Sequence, residues 1–226
     1  NILRELGKFF ATEGVYRGLK PVHWCTSCLT ALAEAEVEYH DHASPSVYVA
    51  FPLTSDLSAL DPALAGKPVS VIIWTTTPWT LPANLAIVVH PGEEYVVFRS
   101  GGRYFLTAGK LLDETARKCG LANPEVVFRV PGARLGGLMA RHPWLDRPSP
   151  LFTAEYVTMD QGTGCVHTAP GHGADDYDTG IKHGLPIYNP VDDLGCFVPE
   201  VPHFAGMNVG EANAAIIELL RKEGRL

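Results

Sequence analysis

The sequence predicts a mainly β fold with peripheral α-helices around a β-barrel-like core, and three observations carry that expectation. Short apolar segments rich in Val, Ile, Tyr and Phe recur from Ser46 onward, bounded by turn residues. Glycine (22) and proline (18) together make about 18% of the chain, against roughly 12% on average, so turns must be frequent. Helical periodicity occurs in only a few places and never in regular alternation with strands, which disfavours a parallel α/β sheet.

The elements follow in order. Ile2, Leu6, Phe9 and Phe10 form one helical stripe that stops at Gly14 and Gly18 and leads into a cysteine-containing loop. Strands are expected at 47–51, 69–74, 85–89 and 95–98. Ser100-Gly101-Gly102-Arg103 joins the last of these to Tyr104-Phe105-Leu106 as a β-hairpin, its glycines supplying the positive φ of the turn. A helix over 110–119 ends at Gly120, and further strands are expected at 126–130, 154–159, 164–168 and around Ile187. Ala174 to His183 reads as a helix closed by Gly184. In the last helix Asn208 and Glu211 resemble a capping box, Ala212, Ala215, Ile216, Leu219 and Leu220 form its apolar stripe, and Gly224 ends it.

Composition narrows the function classes. A chain of 226 residues with 46% hydrophobic and 19% charged content can bury one sizeable core or two small ones and is not disordered. Its net charge of −7, from 18 Lys+Arg against 25 Asp+Glu, excludes a surface that holds nucleic acid mainly by neutralising phosphates. The longest apolar runs, Val69 to Trp74 and Leu85 to Val89, fall far short of the roughly 20 residues of a membrane helix, so no membrane partner is expected. Five scattered cysteines and no apolar leader fit a reducing, cytoplasmic compartment. The chain opens on Asn1 and runs directly into a helix, as an excised part of a larger protein would.

Three stretches are odd for packing alone. In Trp74-Thr75-Thr76-Thr77-Pro78-Trp79-Thr80-Leu81-Pro82-Ala83-Asn84, four threonines at a strand end halted by Pro78 suggest a polar-lined pocket with aromatic walls. Any single threonine there is also an ordinary strand residue. In Gly162 to Tyr177, a strand ending at His167 and Thr168 is followed by a Gly/Pro loop and the acidic helix start Asp175-Asp176, which aims polar groups into a cleft. The acidic pair also suits a helix dipole, and His167, His172 and Asp175 are a candidate metal cluster of unfamiliar spacing. Cys25-Thr26-Ser27-Cys28 is a C-x₂-C pair, two of the four ligands of a structural zinc, with no matching spacing among Cys119, Cys165 and Cys196.

The first two stretches together resemble the editing domain inserted into the catalytic domain of bacterial-type isoleucyl-tRNA synthetases. Lys20 to Cys25 and Thr30 to Tyr39 are similar to the entry into that insertion, and Thr77, where the leucyl and valyl relatives typically carry arginine, favours the isoleucyl type. The resemblance implies a compact β-barrel with peripheral helices, an entry segment over 1–43 joining the parent synthetase, and an editing domain over 44–226. It implies hydrolysis of valyl-tRNA(Ile), with valyl-adenylate as a further substrate and the 3′-terminal aminoacyl-adenosine as the bound group. Asp176 would take the α-amino group, Thr76 and Thr77 would position water, and His167 would wall off the longer side chain. Trp74, Thr75, Asn84, Gly164 and Thr168 would shape or support the pocket. No covalent nucleophile and no editing cofactor are implied. Zinc on Cys25 and Cys28 would need ligands from the full-length parent, and no ATP-binding signature is present in the chain. Two other readings stay open, a non-catalytic module that binds the tRNA acceptor end and a metal-dependent hydrolase.

Overall fold

The computed structural model describes residues 1–226. It contains helices α1 (Ile2–Ala11), α2 (Leu112–Lys118), α3 (Ala174–His183) and α4 (Val209–Lys222). The strands are β1 (His23–Cys25), β2 (Thr30–Leu32), β3 (Val47–Pro52), β4 (Val69–Thr75), β5 (Ala86–Val89), β6 (Glu94–Ser100), β7 (Arg103–Ala108), β8 (Glu125–Pro131), β9 (Met139–Arg141), β10 (Pro148–Thr153) and β11 (Cys165–Thr168). They form a small β1-β2 hairpin, a five-stranded sheet in the order β3-β4-β7-β6-β8 and a four-stranded sheet in the order β11-β5-β10-β9. The β-rich class with peripheral helices is as expected, and the two large sheets are joined where Leu53, just after β3, bridges Ala140 of β9.

The main core is a cluster of 27 buried residues that draws on both large sheets. In β3 the buried Val47, Val49 and Phe51 alternate with half-buried neighbours, the period-two pattern of a strand with one core face. Val69, Val71 and Ile73 of β4 join that core, while Ile72 packs with Val96, Phe98 and Phe105 on the opposite face, beneath Leu112 of α2. All four residues of β5 are buried. This explains the evenly apolar 85–89 run, since β5 is paired on both edges, antiparallel to β11 and parallel to β10. Ala212, Ile216 and Leu220 of α4 are fully buried at helical spacing and complete the core.

Local signals that depend on a single residue are realised closely. Gly101 and Gly102 adopt φ +54 and +78 in the β6-β7 hairpin. Gly184 closes α3 in the left-handed region at φ 68. The Asn208 side chain caps α4 by accepting from Gly210 N at 2.9 Å, a simple cap in place of the expected box with Glu211. Two expected strands are corrected. Residues 154–159 form turns and bends, because β10 pairs one step earlier and its ladder to β5 ends where Ala154 N donates to Val89 O. The chain around Ile187 is irregular and has no strand partner. No residue before Val47 is buried, so α1 and the β1-β2 hairpin lie outside both cores. No helix is long and apolar enough to cross a membrane.

Candidate active site

β4 leaves its sheet at Thr75, whose Oγ1 accepts from Thr77 N at 3.0 Å. That bond replaces the ladder and turns the chain, and Pro78 then opens a 3₁₀ segment over Pro78–Ala83. Thr76 is left exposed and Thr77 half-buried. From the second sheet, β11 carries His167 to its end, and the loop after it returns as α3 with Asp176 in the first turn. Asp176 Oδ2 accepts from Ala169 N at 2.9 Å, which ties the helix start to the strand end. Gly171 permits this tight return, because a Cβ there would lie 2.3 Å from Tyr188 O.

These segments enclose a cavity of about 460 Å³. Trp74, Thr75, Thr76, Thr77, Gly164, His167 and Asp176, all singled out from the sequence, line it. Asn84 and Thr168 do not; both are fully buried, Asn84 behind the His167 ring. Trp79, Thr80, Tyr156 and His172 also line the cavity. Trp79 and Thr80 fall in the threonine run, whereas Tyr156 belonged to the expected 154–159 strand and carried no separate signal. Gly162 lets the Trp74 ring approach, since a Cβ there would meet that ring at 3.0 Å. Trp74 itself is oriented by donating Nε1–H to Ser46 Oγ at 2.6 Å.

His167 is held by a hydrogen-bond chain whose polarity can be assigned. Asn84 Nδ2 lies 2.8 Å from Ala86 O, a pure acceptor, and this fixes which end of the amide is nitrogen. The same nitrogen therefore donates to His167 Nδ1 at 3.2 Å, so Nδ1 is unprotonated. His167 Nε2–H in turn donates to Thr80 Oγ1 at 2.8 Å, and the Thr80 hydroxyl donates to Thr77 O at 2.9 Å. Both ring nitrogens are committed, so a proton or a metal ion could reach Nδ1 only by breaking the bond from Asn84. Burial pushes the imidazole pKa down to about 4, with His172 contributing, so the ring is neutral at neutral pH.

A pH dependence follows. In the unfolded chain the histidine binds a proton near pH 6.5, whereas folded His167 resists until about pH 4. Its stabilisation is complete above pH 6.5 and is lost as the pH falls towards 4. Near pH 5 the loss is roughly 2 kcal/mol. Unfolding free energies near pH 7 and near pH 5 should therefore differ by about 2 kcal/mol less in His167→Gln than in the wild type. Equal pH dependence in both proteins would contradict a neutral, buried His167.

The electrostatics around Asp176 differ. Burial raises its carboxyl pKa, the Ala169 N–H opposes that rise, and the neighbouring Asp175 adds to it. The bond from Ala169 engages Oδ2 and leaves Oδ1 for another donor. His172 Nε2, on a cavity-lining residue, is buried without a protein partner, whereas Tyr156 Oη lies beside the Thr168 and Thr179 hydroxyls. Such an orphan polar atom is costly, about 1–3 kcal/mol, and typical of a ligand site.

No group of three His, Cys, Asp or Glu side chains is placed to hold a metal ion, so His167, His172 and Asp175 do not assemble as a metal cluster. Cys25 ends β1 and Cys28 lies in the turn that leads to β2, where Cys28 N donates to Cys25 Sγ at 3.3 Å. Backbone N–H groups of Cys28 and Ser27, with the Cys28 side chain, hold the Cys25 thiol below its ordinary range. This turn suits thiolate ligation but supplies two ligands of the four a structural zinc requires.

Residues 1–192 match the family described as tRNA synthetases class I (I, L, M and V). The chain is 54% identical over 227 residues to isoleucine–tRNA ligase of Nitratidesulfovibrio vulgaris strain DSM 19637 / Miyazaki F, covering 99% of this chain and 24% of that protein. It is 50% identical over 223 residues to isoleucine–tRNA ligase of Geobacter sulfurreducens, again covering 99% of this chain and 24% of that protein. The chain thus spans about a quarter of the length of these relatives. Among solved structures, the P. knowlesi cytosolic leucyl-tRNA synthetase editing domain superposes with a TM-score of 0.64 at 12% identity, over 80% of this chain and 94% of that one. The P. falciparum cytosolic leucyl-tRNA synthetase editing domain gives 0.58 at 11% identity, over 80% of this chain and 98% of that one. At these identities the likeness concerns the fold.

Proposed function

We propose a hydrolytic proofreading function, on the premise that the chain belongs to the tRNA synthetases of class I (I, L, M and V): it deacylates valyl-tRNA(Ile) and valyl-adenylate and rejects isoleucine. The observation that carries this reading is one cavity in which the threonine run from Thr75 to Thr77, the half-buried Asp176 carboxylate and a neutral histidine wall come together. The similarity to isoleucine–tRNA ligases and to leucyl-tRNA synthetase editing domains supports it.

The chemistry needs little apparatus, because an aminoacyl ester is already activated. The Asp176 carboxylate binds the α-ammonium of the amino acid through its free oxygen, a charge-assisted contact in a partly desolvated site. Thr76 and Thr77, beside the turn made by Thr75, position the attacking water. Committed hydrogen bonds prevent His167 from acting as a base, so it serves as a wall that leaves no room for one further methylene. A synthetic pocket gains only about 1–3 kcal/mol from that methylene, a general value for such pockets, so a second, smaller site completes the selection. The substrate is the 3′-terminal aminoacyl-adenosine of tRNA(Ile). Affinity for the rest of the tRNA comes from other parts of a cytoplasmic synthetase, in keeping with a net charge of −7.

Residues 1–43, which bury no side chain, serve as the segment joining the parent synthetase, and 44–226 as the editing domain. Cys25 and Cys28 would hold a structural zinc together with two ligands from elsewhere in the parent. The direct test offers the 226-residue chain valyl-tRNA(Ile) and isoleucyl-tRNA(Ile) and follows amino-acid release. Valine should be released and isoleucine retained. Binding of both esters with neither cleaved would replace this reading with that of a non-catalytic acceptor-end module.

A further inference from the structure

We propose that the β9-β10 hairpin, which does not touch the cavity, clamps residues 81–84 from behind, and that Ser149 is a positioning residue for valine–isoleucine discrimination, acting on His167 through Asn84. The inference rests on the proofreading reading for its functional half only.

The 3₁₀ segment Pro78–Ala83 closes with Asn84 N donating to Leu81 O, and beyond that bond Pro82 O and Asn84 O have no ladder partner. Two side chains of the hairpin loop, His142 and Arg147, donate to carbonyls here, and Ser149 of β10 donates to the Asn84 side chain. His142 Nε2–H donates to Leu81 O at 2.9 Å, because its Nδ1 accepts from Trp144 N and Leu145 N. Arg147 Nη1 donates to Pro82 O at 2.8 Å and to Asn84 O at 3.1 Å. Ser149 Oγ–H donates to Asn84 Oδ1 at 2.8 Å. Arg147 immediately precedes β10 and Ser149 is its second residue.

Ser149 is fully buried and flanked by Pro148 and Pro150, whose rings fix φ on either side of it. The prolines cost β10 little, because at 148–150 it pairs only with β9, and its ladder to β5 begins at Leu151. The result is a rigid peg at the far end of the chain Ser149 to Asn84 to His167 to Thr80. Asn84 then has both N–H groups and its carbonyl engaged, so it can offer His167 Nδ1 only a donor, and the ring can take only the Nε2–H tautomer. Without the Ser149 hydroxyl, Asn84 Oδ1 becomes a buried orphan acceptor, only the Ala86 carbonyl still selects the amide orientation, and the preference for a single arrangement of amide and ring weakens.

The test uses the 226-residue chain with ¹⁵N-labelled histidine. In the wild type His167 should show one neutral tautomer protonated at Nε2, and in Ser149→Ala a mixture. The Val:Ile ratio of kcat/KM for deacylation should fall about tenfold in Ser149→Ala, mainly through faster isoleucine release. In an Asn84→Ala background Ser149→Ala should add nothing further. Unchanged His167 resonances in a folded Ser149→Ala protein, or full additivity with Asn84→Ala, would overturn the proposal. If Ser149→Ala does not fold, Ser149→Cys, close in volume and a poorer donor, takes its place with the same readouts. If the wild type cleaves neither ester, the proofreading reading fails, while the tautomer measurement still decides whether the clamp exists.

Discussion

Asp176→Ala should lower valine release from valyl-tRNA(Ile) by roughly 100-fold or more, the effect of truncating one partner of a desolvated charge pair, about 2–5 kcal/mol. Burial already raises its pKa, so the ionised form is held at a cost that a bound ammonium relieves. Asp175, one residue earlier, is exposed and should tolerate alanine. Asp176→Asn separates charge from anchoring, because its amide oxygen can still accept from Ala169 N while the negative charge is gone. Its deacylation should fall nearly as far as that of the alanine variant. The wild type should also lose activity as the pH drops through the raised carboxyl pKa, since protonation removes the charge that attracts the ammonium. Wild-type rates in Asp176→Asn would remove the carboxylate from the mechanism.

Gly164→Ala should destabilise the fold by about 2–4 kcal/mol, combining a left-handed backbone with overpacking. Gly164 adopts φ +69, and a Cβ there would lie 2.5 Å from Ala108 Cβ and 3.0 Å from Met159 Sδ. Ala108 is fully buried and its N–H donates to Thr163 O at 2.9 Å, so the β7 end cannot move aside freely. The Gly164 carbonyl also accepts from the buried Tyr95 hydroxyl. The wall role assigned to Gly164 is thus a matter of backbone approach: the residue brings the 162–164 loop against β7 and leaves the cavity open beside it. Chemical denaturation would measure the change, and a midpoint shift equivalent to under about 0.5 kcal/mol would mean that the loop yields easily.

What the sequence revealed depended on whether the cause was local. Gly184 after His183, Gly101-Gly102 between two strands and Pro78 after three threonines each act through their own backbone, and each ends or turns an element where expected. Tyr156 and Val157 suggested a strand because they are apolar, yet they line the cavity, and burial without pairing leaves the same trace in a sequence. β10 was hidden for the opposite reason, since Pro148 and Pro150 read as breakers but occupy positions without a second ladder. Most residues of the pocket could be singled out because hydroxyls, histidine and aspartate are unusual at strand ends. Their bonding could not, as the Thr80–His167 and Asn84–His167 contacts join residues 87 and 83 positions apart.

Those separations also bear on how the molecule reaches this state. β5 pairs with β11 across a long intervening chain, and two of the strand pairings, β4 with β7 and β5 with β10, are parallel and need crossovers. Closing such loops costs entropy before any contact repays it, so folding of this topology is slow compared with a helical domain of equal size. The cavity walls come from both ends of that slow process, the threonine turn early in the chain and the His167–Asp176 loop late in it. A half-folded molecule with only the five-stranded sheet formed has Thr75 to Thr77 but neither the histidine nor the carboxylate. The pocket is consequently absent from partial structures and emerges only with the complete fold.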